Sequence, residues 1–198
     1  MPATLLWYDL ETFGTNSKWD RIGQFAAVRT NDRFEDIGEP IEAYCRMTPD
    51  YVPEPDACIL TRLTPQIVDR RGESEARFAA IVHQAMMEPR TCVVGYNNLR
   101  FDDEFVRHLF YRNFFDPYER EYKSGNSRWD ILDLLRMTHD LRPDGLSWVY
   151  DEAGKPVFRL EELTFANGIQ HRNAHDALAD VRALIDLAKA VYEAQPKL

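Results

Sequence analysis

Apolar and polar positions alternate with two different periods along this chain, and the switches between them mark out its elements. Residues 5–10 are short, apolar and aromatic, and the turn Thr12-Phe13-Gly14 follows, which predicts a buried strand. Residues 25–30 and 41–45 predict a second and a third strand. Asn31-Asp32 lies in the connection between these two, so the first three strands are expected to form an antiparallel meander. From residue 46 to 65 the chain carries Pro49, Pro53, Pro55 and Pro65, which rules out a continuous helix and predicts a long structured loop. Thr64 and Ser74 are candidate caps for two helices. The second is expected to run to about Met87, with Phe78, Ile81, Val82 and Ala85 facing inward.

Residues 91–96 predict a fourth, buried strand. Residues 100–113 predict a helix, because Phe101, Phe105, Leu109 and Phe110 recur at helical spacing. Residues 116–127 are polar and irregular. Residues 130–141 form another helical pattern, ended by Pro143 and Gly145. Residues 149–158 suggest a small hairpin, and residues 160–167 a short helix with Gly168 after its end. A last helix is expected over residues 176–194. Strands followed by alternating helix and strand predict one α/β domain over residues 1–198, built on a mixed central sheet flanked by helices.

Charge narrows the function. The 24 Lys and Arg stand against 33 Asp and Glu, a net charge of −9, which does not suit broad electrostatic capture of nucleic acid. It does suit a site that gathers carboxylates around cations. Cys45, Cys58 and Cys92 lack C-x-x-C spacing and read as thiols in a reducing compartment. The five histidines form no H-E-x-x-H pair. No secretory signal pattern and no apolar run of membrane-spanning length is present, so a cytoplasmic protein with no membrane association is expected.

Side chains alternate along a strand, so Asp9 and Glu11 share one face while Leu10 points to the other. Paired carboxylates repel unless both reach water or a hard cation lies between them. After the fourth strand, Gly95-Tyr96-Asn97-Asn98-Leu99-Arg100-Phe101-Asp102-Asp103-Glu104 opens a helix. Successive helical residues point about 100° apart, so only one of Asp102 and Asp103 can readily face a shared site. Each of them could instead complement the helix dipole. Asn97 and Asn98 offer amide donors and acceptors. Near the C-terminus stands Asn173-Ala174-His175-Asp176-Ala177-Leu178-Ala179-Asp180. In an unbroken helix His175 and Asp180 would lie roughly 140° apart, so they converge only if His175 precedes the helix, with Asn173 or Asp176 as cap. Residues 96–129 are rich in aromatics but carry balanced charge, so they do not form a basic patch.

Taken together, Asp9-x-Glu11, Asp102 and His175-x4-Asp180 resemble the histidine-containing branch of the DEDD superfamily of 3′→5′ exonucleases. Thr12-Phe13-Gly14-Thr15, Gln24-Phe25-Ala26-Ala27, the Gly95–Glu104 stretch, Phe110-Tyr111-Arg112-Asn113-Phe114, Asn126-Ser127-Arg128-Trp129-Asp130 and Ala166-Asn167-Gly168-Ile169 extend the match across the chain. In these stretches the chain is similar to the nuclease domain of the bacterial exonuclease I family. The resemblance implies a ribonuclease H-like fold and two Mg²⁺ ions, with Mn²⁺ able to substitute. It implies Asp9, Glu11, Asp102 and Asp180 as the acidic set, selecting Asp102 over Asp103, and His175 as general base. It also implies hydrolysis of single-stranded DNA from the 3′ end to mononucleotides, in DNA repair and recombination. Thr12 and Phe13 would read the terminal hydroxyl through their backbone, with the Phe13 ring either stacked on the last base or buried in the core. Asn97, Asn98, Tyr122 and Arg128 are the remaining candidate strand contacts.

Two metals about 4 Å apart suit in-line displacement at a phosphodiester. A monomer is expected, with single-stranded DNA-binding protein as a candidate partner. The family's further C-terminal domains have no counterpart in the sequence, so distributive action is expected. An exoribonuclease or a proofreading subunit would use the same acids. A non-catalytic binding module would be expected to lack at least one of them.

Overall fold

The computed structural model describes residues 4–171 and 176–197. Strands β1 (Thr4–Thr12), β2 (Ile22–Thr30) and β3 (Ile41–Tyr44) form the expected antiparallel meander. Strand β4 (Thr91–Gly95) lies parallel to β1 on its other side. A fifth strand, β5 (Ser127–Asp130), then pairs parallel to β4, giving the order β3-β2-β1-β4-β5. The β5 stretch, Ser-Arg-Trp-Asp, carries no apolar alternation, so its polar composition conceals a strand that exists only through its pairing with β4. The polar stretch before it contains two single-turn 3-10 helices, Glu119–Glu121 and Lys123–Gly125.

The proline-rich loop also departs from expectation, since it contains a helix, α1 (Pro55–Thr61). Pro55 sits in its first turn, where the missing N–H costs no helical bond. Helix α2 (Pro65–Arg71) starts at Thr64, whose hydroxyl accepts from the Ile67 N–H, and α3 (Glu75–Met86) is capped in the same way by Ser74. Helix α4 (Asp102–Arg112) begins two residues later than its apolar pattern suggests. The turn before it spends its backbone groups locally, the Asp103 N–H donating to the Asn98 carbonyl at 2.8 Å. Helix α5 (Ile131–Leu141) is capped by Asp130, and a hairpin of β6 (Val149–Tyr150) and β7 (Pro156–Val157) follows. Helix α6 (Leu160–Ala166) precedes α7 (Ala177–Ala194), which is capped by the Asp176 carboxylate on the Ala179 N–H.

The central strand divides the core. Leu6, Tyr8 and Leu10 pack with α3 and α4 on one face of the sheet, and Trp7 packs with α5, α6 and α7 on the other. Period-two alternation therefore sends Asp9 and Glu11 toward the α7 side. Strand β1 pairs with β4 only from Thr4 to Trp7, so its acidic end runs past the end of that neighbour. No helix among the described residues is long and apolar enough to cross a membrane.

Candidate active site

The outrun of β1 past β4 opens a cleft of about 180 Å³. It is lined by Asp9, Leu10, Glu11, Tyr96, Asn97, Phe101, Asp102 and Asp180. Asp9 and Glu11 are fixed by the ladder with β2, opposite Ala26 and Gln24, and a register shift follows between Glu11 and Thr12. Asp180 comes from the first turn of α7, and one carboxylate oxygen from each of Asp9, Glu11 and Asp180 lies within 4.8 Å of the others. Asp102 enters from the start of α4 and is 5% exposed.

No lysine or arginine is among the described residues lining this cleft, and the carboxyls respond accordingly. Burial first, then the charges of Asp102, Glu11 and Asp180, hold the Asp9 carboxyl well above the ordinary carboxylate range. Burial, and after it Asp180, Asp102 and Asp176, pushes Glu11 up to about 8. Burial and the adjacent Asp103 raise Asp102. Hard oxygen donors brought together at such cost, with no lysine or arginine among the described residues lining the cleft, fit a divalent metal ion. Asp9, Glu11 and Asp180 would hold it, with Asp102 facing the same cleft.

The neighbouring Asp103 has the opposite environment. It is fully buried and accepts from the Tyr8 hydroxyl at 2.6 Å, Arg120 Nη2 at 2.7 Å and Arg128 Nη1 at 2.8 Å. These partners, Arg120 foremost, outweigh burial and hold its carboxyl below the usual range. Asp103 is thus an anchor for α4, while Asp102 faces the cleft.

The candidate strand contacts divide. Asn97 lines the cleft with a left-handed backbone (φ 58°), and its N–H donates to Asp130 Oδ1 at 2.8 Å. Asn98 is fully buried behind it, and its amide N and O have no hydrogen-bond partner among the described residues. Thr12 lines a neighbouring cavity of about 280 Å³ that shares Leu10, Glu11 and Phe101 with the acidic cleft. Its hydroxyl donates to the Gly14 carbonyl at 2.7 Å. At Gly14 an added Cβ would lie 2.2 Å from Asp20 Oδ2.

Phe13 requires a correction. Its ring is fully buried with Tyr44, Tyr51, Leu63 and Val68, so it takes the core role and offers no face to a base. Its backbone is also committed, the N–H to the Arg21 carbonyl and the C=O to the Glu54 N–H. Arg128 is likewise drawn away from a strand-contact role by its bonds to Asp103 and Glu121. Tyr122 is exposed between the 3-10 turns and lies outside the residues lining the cleft. His175 lies outside the described residues. Sequence reasoning passed over Tyr96 and Phe101 as cleft walls. It also passed over His171, whose Nε2 lies 2.5 Å from Asp180 Oδ1. The two rings read as strand and core aromatics, and His171 has no distinguishing spacing.

A family model described as Exonuclease (RNase T) matches residues 6–188. Exodeoxyribonuclease I of Haemophilus influenzae is 55% identical over 191 residues, which cover 96% of this chain and 40% of the relative. The crystal structure of Escherichia coli exonuclease I in complex with a dA16 oligonucleotide superposes with a TM-score of 0.97 at 52% identity, over 98% of this chain and 42% of that one. A zinc ion-bound form of an E. coli exonuclease I–single-stranded DNA complex superposes with a TM-score of 0.96 at 52% identity, over 100% of this chain and 42% of that one. The chain spans about two fifths of the length of the curated relatives it matches.

Proposed function

The chain belongs to the Exonuclease family and carries a ribonuclease H-like fold, and from that premise we propose that it is a metal-dependent 3′→5′ exodeoxyribonuclease acting on single-stranded DNA. The observation that carries the reading is the convergence of Asp9, Glu11 and Asp180 oxygens within 4.8 Å in a cleft open to solvent. In this reading the acidic set, with Asp102, holds two Mg²⁺ ions, and Mn²⁺ can replace them. Bound there, the ions would lower the pKa of an attacking water and neutralise charge on the leaving 3′ oxygen. The rigid β1 ladder keeps Asp9 and Glu11 in register, and Asp103 and its partners fix the helix that carries Asp102. His175 is the proposed general base, since an imidazole can be neutral near pH 7 and accept the proton of the water.

The cavity of about 280 Å³ beside Thr12 shares Leu10, Glu11 and Phe101 with the acidic cleft that Asn97 lines, and in this reading it takes the terminal nucleotide. A monomeric, cytoplasmic enzyme with single-stranded DNA-binding protein as its partner completes the proposal. The test is a time course on 5′-labelled single-stranded DNA, free or blocked at the 3′ hydroxyl, with Mg²⁺ and with excess EDTA. A ladder shortening from the 3′ end only with metal and a free hydroxyl is expected. Undiminished hydrolysis in EDTA, or cutting of a closed circle, would overturn the reading. Faster digestion of a matching RNA would move the substrate assignment to an exoribonuclease.

A further inference from the structure

The proposed chemistry leaves the buried His171 without a task. Its ring sits between α6 and the first turn of α7, with Nε2 2.5 Å from Asp180 Oδ1 and Nδ1 3.3 Å from Thr164 Oγ1. The His171 side chain is 6% exposed. Thr164 is fully buried, and its hydroxyl is tied to the α6 backbone, 2.8 Å from the Leu160 carbonyl and 3.0 Å from that of Glu161. With Asp180 ionised, as a metal ligand must be, its oxygen only accepts, and Nε2 is then the donor whichever way Nδ1 meets Thr164. A buried ring held at both nitrogens has no free rotation, and it transmits the position of α6 to the carboxylate.

Asp9 and Glu11 are fixed on a paired central strand, whereas Asp180 belongs to a separate helix. When ionised to take a cation, three carboxylates within 4.8 Å repel one another, and that repulsion pushes the Asp180 side chain away from the strand pair. A donor aimed at Oδ1 from a fixed direction opposes that displacement. We propose that His171, braced by Thr164, is a positioning residue that holds Asp180 in place to share a divalent cation with Asp9 and Glu11. The proposal rests on the cation reading of this cleft. It gives His171 no part in accepting the proton of water, because Nε2 is committed to Asp180 and the ring is enclosed.

The test is Mn²⁺ binding to the DNA-free protein, followed by the paramagnetic resonance signal of the free ion, with thermal unfolding alongside. His171→Leu fills the space without a donor and is expected to weaken Mn²⁺ binding by roughly 10- to 100-fold, the usual effect of losing a partner behind a metal ligand. His171→Gln retains a side-chain N–H and is expected to stay near wild type. Thr164→Val, which keeps the shape but not the brace, should fall between. A residue that merely fills space would lower the melting temperature in the Leu and Gln variants alike and leave affinity unchanged. A folded His171→Leu protein with wild-type affinity overturns the proposal. If that variant does not fold, wild-type affinity in folded Thr164→Val overturns it instead. Wild type binding Mn²⁺ no better than Asp9→Asn would reject the cation reading itself. Normal wild-type binding with an unaffected His171→Leu rejects only the role of His171.

Discussion

Adjacent residues Asp102 and Asp103 should respond in opposite senses to the same substitution. Asp103→Asn withdraws the charge that balances Arg120, a side chain with no exposure. Nε and Nη1 of Arg120 have no hydrogen-bond partner among the described residues, and the remaining carboxylate beside it, Glu121, lies at 3.9 Å, too long for a hydrogen bond to replace that of Asp103. Breaking a buried ion pair by removing one partner costs about 3–5 kcal/mol. For a chain of this size each kcal/mol shifts the melting temperature by about 2–4 °C, so the loss should be roughly 6–20 °C. The Asp103 carboxyl is held below its ordinary range, so its contribution is present above that range and is lost as pH falls through the lowered value. Asp102 is held above its ordinary range, chiefly by burial and then by Asp103. Between its unfolded and folded values the native state binds more protons, and stability falls as pH rises. Asp102→Asn should therefore stabilise the metal-free protein at pH 8.5 and change little near pH 4, while abolishing cleavage. Urea unfolding in EDTA, followed by tryptophan fluorescence, measures both effects. An Asp103→Asn midpoint equal to wild type at pH 8.5, or an Asp102→Asn midpoint lowered as far as that of Asp103→Asn, would refute this division of roles.

Glu11, raised to about 8, drains stability from the metal-free protein as pH rises from its unfolded value near 4.5, by at most about 1.4 kcal/mol for each pH unit climbed. Added Mg²⁺ should therefore raise the melting temperature more at pH 8 than at pH 5.5, and scanning calorimetry at both pH values checks this. Asp9→Asn and Asp180→Asn should each abolish metal-dependent cleavage while the protein remains folded, as read by gel assay and circular dichroism. Gly14→Ala should cost roughly 1–3 kcal/mol through its clash with Asp20, measured by urea midpoint. His175→Ala should lower single-turnover cleavage by about 10²- to 10⁴-fold and flatten the acid limb of the pH profile, whereas a cap-only role would let His175→Asn keep both rate and profile.

Alternation alone was enough to place Asp9 and Glu11 on one face of β1 with Leu10 on the other, because a strand period of two leaves no other choice. The caps Thr64 and Ser74 were legible for a similar reason, their chemistry being local, and for α7 the same chemistry narrowed the cap to Asn173 or Asp176, of which Asp176 caps the helix. Strand β5 was not, since Ser127 to Asp130 has no apolar face and is a strand only because β4 supplies the partner. Helix α1 was obscured by prolines that bar a long helix yet permit a short one starting at Pro55. In the site, the opposed roles of Asp102 and Asp103 depend on Tyr8, Arg120 and Arg128, which no spacing rule connects. The depth of Phe13 depends on Tyr44, Tyr51 and Leu63 closing over it from distant segments. His171 needed the packing of α6 against α7 before it could be seen beside Asp180.

The placement of Asp180 on α7 has a consequence for the order in which the acidic cleft is assembled during synthesis. Asp9 and Glu11 leave the ribosome early, and Asp180 emerges some 170 residues later, roughly 10–30 s at ordinary rates of synthesis. Throughout that interval the nascent chain can form the meander of β1, β2 and β3 but lacks one wall of the cleft. Closing so large a loop adds little to the equilibrium cost, which grows only with the logarithm of its length, but it slows the final docking step. The metal-binding cleft is thus incomplete until α7 seats, and on the proposed function partly made chains would carry the acidic strand without cleavage competence.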